Sequence, residues 1–161
     1  MCIRDSNTYD LILESESACY IKINEGFSVA YKTLREGGYL LAADYFVYNS
    51  DDQSPHLKSS HKMDEYLNAA KISGFKLLKE YNLTENTMPT LDAALHFVNR
   101  FIIPTAEYLQ YSIHRKNPKT YRLLESLLGK KISKKMDQID LMDSDEFRKY
   151  RKYMIYLFQK V

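Results

Sequence analysis

Arg35-Glu-Gly-Gly-Tyr-Leu-Leu-Ala-Ala-Asp-Tyr-Phe46 reads as a helix end, a double-glycine turn and a short apolar strand that finishes on Asp44. Ligand crevices of parallel α/β sheets lie at the carboxyl ends of their strands, so such a run delivers polar residues to a site. Upstream, Phe27, Ala30, Tyr31 and Leu34 fall at helical spacing. A helix is therefore expected from Glu25 to Leu34, stopped by Gly37-Gly38. Before it, Tyr9-Asp-Leu-Ile-Leu13 is a short apolar run, consistent with a buried strand, which Glu14-Ser-Glu-Ser17 interrupts. Downstream of a polar loop, Asn49 to Ser60, a helix is expected from His61 to Ser73. Met63, Tyr66, Leu67, Ala70 and Ile72 form its apolar side and Gly74 ends it. Phe75 to Tyr81 is a third strand. Alternating strands and helices with short connections give an α/β protein with a parallel sheet.

The pattern changes in the second half. Thr90 to His114 is a long helical stretch that Pro104 should kink or split near Ile103. Pro118 to Leu128 reads as another helix, and Lys130 to Met142 as helical in part. Tyr150 to Phe158 alternates, with apolar residues on both sides, which is the pattern of a strand covered on both faces.

At 161 residues the chain can bury a substantial core, and 45% hydrophobic with 27% charged residues is ordinary for a globular domain. A net charge of +2 makes no electrostatic case for nucleic acid. Cys2 and Cys19 fit no zinc spacing, and no metal site is expected. No apolar run approaches the roughly 18 residues of a membrane span, and a cytoplasmic setting is the expectation. Met1-Cys-Ile-Arg-Asp-Ser6 lacks a signal peptide's apolar core and reads as a non-native leader, leaving residues 7–161 for the fold.

Three separated segments resemble the class I S-adenosylmethionine-dependent methyltransferases. Tyr9-Asp-Leu-Ile-Leu-Glu-Ser-Glu-Ser-Ala-Cys-Tyr-Ile21 resembles the family's strand four and the loop after it. Phe27 to Asp44 is similar to the next helix and the L-K-P-G-G turn into strand five, with Glu36 where proline is common. Ala70-Lys-Ile-Ser-Gly-Phe-Lys-Leu-Leu78 and Asn82-Leu-Thr-Glu-Asn-Thr-Met-Pro-Thr-Leu-Asp92 look like segments of small-molecule methyltransferases that carry a helical insertion before their last strand. The closing Tyr150 to Lys160 resembles the antiparallel seventh strand. The resemblance implies a partial Rossmann-like sheet, strands 4-5-7-6 with the last strand antiparallel, and a helical insertion at about 88–147. It covers the C-terminal portion of such a domain. The family's glycine-rich cofactor loop has no counterpart, since Gly26, Gly37, Gly38, Gly74 and Gly129 form no G-x-G. The acidic residue that holds the ribose after strand two is also missing.

Residues at strand ends are the candidates for chemistry. The resemblance puts Glu14 and Ser15 beside the cofactor's methionine moiety. It puts Glu16, Tyr20, Asp44, Tyr45 and His61 at the substrate pocket, Tyr20 standing where relatives often carry histidine. Glu16 leads, because two carboxylates one residue apart should point different ways, although both could instead be solvated or cap the following helix. Asp44, costly to bury unpaired, receives either a substrate donor or the amides of its own turn. His56 and His61 flank the loop after strand five. The catalytic residue stays open. Lys130-Lys131 and Lys134-Lys135 read as a solvated face or a grip on an acidic group.

The expected function is that of a fragment of a methyltransferase whose parent uses S-adenosylmethionine on a small, lipophilic molecule. The chain alone is expected to bind that cofactor weakly or not at all and to be inactive. Tyr9 to Leu13 should form an exposed apolar edge that promotes self-association. The alternatives are a non-catalytic α/β interaction module, or a half-domain completed by a partner chain.

Overall fold

The computed structural model describes residues 7–48, 60–122, 126 and 144–161. It divides into two units, Met1–Asn86 with Arg148–Val161, and Thr87–Phe147. The first unit contains β1 (Tyr9–Ser15), a 3-10 turn at Ala18–Tyr20, α1 (Ile23–Thr33), β2 (Leu34–Val47), α2 (Met63–Ile72), β3 (Phe75–Asn82) and β4 (Arg151–Lys160). The strands form one sheet in the order β1-β2-β4-β3. β1 and β2 are parallel, and β4 runs antiparallel to both β2 and β3. This is the expected 4-5-7-6 order. The carboxyl ends of β1, β2 and β3 therefore share an edge with the amino end of β4.

Both crossover helices step the same way along the sheet. Right-handed crossovers in one direction put their helices on one face. Phe27 and Ala30 of α1 and Tyr66, Ala69 and Ala70 of α2 are accordingly buried with Leu40, Ala42 and Phe46 of β2 and Met154, Tyr156 and Phe158 of β4. The centre of this core is aromatic. Tyr66 sits 4.8 Å from both Phe27 and Phe46, and Phe46 sits 5.2 Å from Tyr156. Such tilted pairs favour the ring quadrupoles over a flat sandwich.

The same handedness corrects the expectation that β4 is covered on both sides. Met154, Tyr156 and Phe158 are buried, whereas Tyr153, Ile155 and Leu157 are only half-buried. Their cross-strand partners Tyr45, Ala43 and Leu41 share that second face. On β1 the expected buried strand also differs: Leu11 is 52% and Leu13 63% exposed.

The double glycine acts differently from the expected helix stop. α1 already ends at Thr33, and Leu34 is extended, at φ −73° and ψ 139°. Tyr9 pairs with Leu34 and Leu11 with Tyr39, so one residue of β1, Asp10, opposes four of β2. Arg35–Gly38 is thus a bulge inside a long strand. Gly37 has φ +73°, and a Cβ on Gly38 would lie 2.9 Å from the Arg35 carbonyl oxygen. Buried Lys160 fastens the bulge: its Nζ donates to Leu34 O and Asn7 Oδ1, both at 2.9 Å, and pairs with Glu36 at 3.0 Å. Nor does β2 finish on Asp44; it continues to Val47, leaving Asp44 inside the ladder opposite Met154.

In the second half, α3 (Thr84–Phe97) begins earlier than the expected Thr90 because Asn82 Oδ1 accepts the Thr84 N–H at 3.0 Å and caps it. A π turn at Val98–Ile102 then leads into α4 (Ile103–Lys116). The helical path is not split at Pro104: Ile102 and Ile103 keep helical φ/ψ and the Ile103 N–H reaches Val98 O, so the irregularity is the π turn that ends beside Pro104, whose missing N–H leaves one link out of the ladder. The apolar side chains here are open: Phe97, Phe101, Ile102 and Leu109 are each more than half exposed. Residues 118–122 are helical, and α5 (Ser144–Tyr150) leads into β4. His56 and the lysine cluster at 130–135 lie outside the described residues. No described helix is long and apolar enough to cross a membrane.

Candidate functional site

Strand alternation would put Glu14 and Glu16 on one side of the sheet, because side chains repeat every two residues. They separate because Glu16 adopts a left-handed φ of +48°. For a residue with a Cβ this costs about 1–2 kcal/mol and persists only where the surroundings enforce it. Two contacts do so. The Glu16 N–H donates to Ala43 O at 2.8 Å, and the Tyr153 hydroxyl donates to Glu16 Oε1 at 3.3 Å. Glu16 thus stands exposed at the strand edge, tied to β4.

Glu14 stays on the helix-covered face, where the Tyr66 hydroxyl donates to its Oε2 at 3.3 Å. Burial pushes its carboxyl above the ordinary range; the Tyr66 hydrogen bond opposes this and nearby Asp44 adds to it. Burial likewise raises the Tyr66 phenol, and the Glu14 charge raises it further. A shallow cleft beside this pair is lined by Glu14, Ala18, Ile21, Gly26, Phe27 and Tyr66. Ser15, between the two carboxylates, is exposed.

Asp44 is 1% exposed. Its Oδ2 accepts the Cys19 N–H at 3.0 Å and its Oδ1 accepts the Tyr45 N–H at 2.8 Å. Of the two roles open in the sequence, amide capture is the one the geometry contains. The carboxylate ties the 3-10 turn to β2.

His61 holds the same turn from the other side. Its Nε2 lies 2.9 Å from Ala18 O and 2.8 Å from Ile21 O. Two carbonyl acceptors require Nε2 to carry the proton, an assignment made from the hydrogen bonds. Its backbone oxygen accepts the Val47 N–H at 2.9 Å. Tyr45 is half-buried, with the Arg151 guanidinium 5.2 Å from its ring centroid. Burial raises its phenol, repulsion from Cys19 adds to this, and Arg151 opposes it. Tyr20 is 86% exposed and is not drawn into the cluster.

Tyr66, Tyr153 and Arg151 join the site without having been singled out in the sequence. A signal existed for Tyr153. The first residues of an antiparallel last strand fall at the ligand edge, so a tyrosine there is within reach of the loop after β1. Nothing local marks its partner, which is 137 positions away. Among the described residues, no group of His, Cys, Asp and Glu could hold a metal ion.

No protein-family model matches the chain, and no curated protein does. Solved structures do. A geranyl diphosphate C-methyltransferase of Streptomyces coelicolor A3(2) superposes on all of this chain and 51% of its own, at TM-score 0.64 and 16% identity. The fold is that of a class I methyltransferase. A second example is Haemonchus contortus phosphoethanolamine N-methyltransferase 2, which matches 97% of this chain over 34% of its own, at TM-score 0.56 and 18% identity. The same methyltransferase fold occurs in the cyclase SpnF, matching 99% of this chain and 52% of that one, at TM-score 0.55 and 15% identity. At such identities the likeness shows the fold alone. The chain spans about half the length of the C-methyltransferase it matches. Its five glycines form no G-x-G in the sequence.

Proposed function

We propose that this chain is the acceptor-side half of an S-adenosylmethionine-dependent methyltransferase for a small molecule. The observation that carries this reading is the 4-5-7-6 sheet with its antiparallel insertion, matched over the whole chain to a methyltransferase at TM-score 0.65. S-adenosylmethionine supplies an electrophilic methyl group when bound. The protein's task is then alignment of the acceptor and removal of any proton it carries. Glu16, exposed at the strand edge, orients the acceptor and receives that proton. Tyr153 positions Glu16. Asp44 and His61 keep the turn between them in register, and Glu14 with Ser15 faces the cofactor.

The cofactor-gripping half comes from outside the described sheet, either on the same polypeptide or on a partner. It would pair beside β1 and cover Leu11 and Leu13. A lipophilic acceptor is one candidate. Isothermal titration of the 161-residue chain should give no micromolar binding of S-adenosylmethionine, and such binding would overturn the half-site reading. Mixed or fused with a cofactor-binding half, the chain should transfer labelled methyl groups. The second reading, another chemistry on the same frame, is favoured by SpnF, a cyclase with this fold. Product formation without methyl transfer would select it.

A further inference from the structure

Along the helical path from α3 through the π turn into α4, one row of residues falls at alternating steps of four and three: Phe97, Phe101, Pro104, Tyr108 and Tyr111. That is the spacing of a seam between two helices, which repeats about every 3.5 residues. The row is uncovered. Tyr108 is 68% and Tyr111 60% exposed, and Phe97 and Phe101 are each more than half exposed. Phe97 and Phe101 lie side by side, with ring centroids 5.3 Å apart.

The two flanks of the row differ. Arg100 and Glu107 each stand one position before a ring, seven residues apart, and both are exposed. Ile102 and Leu109 each stand one position after the same rings, and both are more than half exposed. One flank is therefore charged with opposite signs, and the other is apolar.

Size and charge select the occupant. From Phe97 to Tyr111 the row runs about 21 Å at 1.5 Å of rise per residue, longer than a small molecule covers. Six large side chains, each about half exposed and with roughly 200 Å² apiece, offer about 600 Å². A symmetric pair would bury about 1,200 Å², the lower end of specific interfaces. A uniformly charged surface such as an anionic bilayer would be repelled at Glu107. A second copy of the row supplies both signs. A two-fold axis perpendicular to the seam turns one helix over onto the other, so the same flank of both copies meets on the same side. Arginine then faces glutamate, and the apolar flanks face each other. A two-fold axis along the seam would instead set the charges against Ile102 and Leu109.

We propose that this row is a self-association surface, on which a second copy of the chain docks antiparallel about a two-fold axis crossing the helix at Ile103. Arg100 of each copy then lies opposite Glu107 of the other, and Phe97 opposite Tyr108, each within about 1.5 Å of level. The surface belongs to the second unit, whereas the apolar β1 edge belongs to the first. It does not depend on the methyltransferase reading.

The test is sedimentation equilibrium of the full 161-residue chain, which should show a monomer–dimer equilibrium. Arg100→Glu or Glu107→Arg alone should weaken the dimer about tenfold, since symmetry turns two attractive pairs repulsive. The double swap should return the constant to about the original value. An equimolar mixture of the two single variants should form a heterodimer tighter than either homodimer, because each mixed pair is again opposite in sign. Phe101→Ser should also weaken the dimer about tenfold or more, with an unchanged circular dichroism spectrum because the ring is exposed. Leu13→Lys, on the β1 edge, should leave the constant unaltered. A chain that stays monomeric at millimolar concentration would overturn the proposal, as would a dimer indifferent to the charge swaps or one abolished by Leu13→Lys alone. So would a monomer that binds anionic vesicles through Phe101 and Tyr108.

Discussion

Asp44→Ala should be among the more damaging single changes in the first unit. The carboxylate is 1% exposed and accepts the Cys19 and Tyr45 amides at 3.0 and 2.8 Å. Hydrogen bonds to a charged group are each worth about 1.5–3 kcal/mol, and orphaned buried donors cost about as much again. Two terms reduce the sum. Cys19 is only part-buried, so water can reach its amide, and removing a buried carboxylate relieves its desolvation. The lower ends then apply, giving a net loss of about 3 kcal/mol. With a urea slope near 2 kcal/mol per molar, the midpoint should fall by about 1.5 M. Asp44→Asn keeps one acceptor oxygen but turns an N–H toward the second donor, so it should lose about half as much. Urea titrations of the three proteins, followed by far-ultraviolet circular dichroism, give the order directly. Faster hydrogen exchange at the Cys19 amide should accompany the loss. A midpoint shift below about 0.3 M for the alanine variant, or an asparagine variant worse than alanine, would refute the structural role and return Asp44 to the list of ligand contacts.

Two further outcomes follow from named residues. Glu14 has a raised carboxyl pKa, so the folded state binds a proton more tightly than the unfolded state. Stability should therefore fall as pH rises from the ordinary carboxylate value through the raised one, and Glu14→Gln should flatten that decline. Urea midpoints between pH 4 and 7 measure it, and parallel curves for both proteins would contradict it. Gly74→Ala forces a side chain into φ +85°, with its Cβ 2.7 Å from Tyr31 Cε2, so it should cost about 1–2 kcal/mol. An unchanged thermal midpoint would mean that the turn and the Tyr31 ring relax without cost.

Much of the fold was legible because local pattern and topology agreed. The apolar runs at Tyr9, Tyr39 and Phe75, separated by helical periodicity, define three parallel strands, and the alternation from Tyr150 gives the inserted fourth. The misreadings share one cause, a tertiary contact overriding a local signal. Gly37-Gly38 resembles a helix stop, yet α1 ends earlier because Leu34 pairs with Tyr9 and its carbonyl receives the Lys160 ammonium. β4 has two apolar sides, yet one is left half-open because both crossovers cover the other. The site was legible at β1 and β2, whose strand ends contain their own polar residues. Tyr153 and Tyr66 were not legible as site members, since a tyrosine in an apolar pattern reads as core until its hydroxyl partner is known. Tyr66 is in fact both, 3% exposed and bonded to Glu14.

The position of β4 has a consequence for assembly of the sheet. It is the last strand along the sequence but the third across the sheet, between β2 and β3. Until it arrives, β2 and β3 have no common neighbour, and Leu34 O and Asn7 lack the ammonium that holds them. A ribosome must therefore emit nearly all of the described sequence before the central hydrogen bonds can form. Until then this part of the sheet holds only the parallel pair of β1 and β2, with its apolar edges waiting. Contacts spanning more than a hundred residues close last and slowly. Removal of the final few residues should thus undo the middle of the sheet rather than fray its rim.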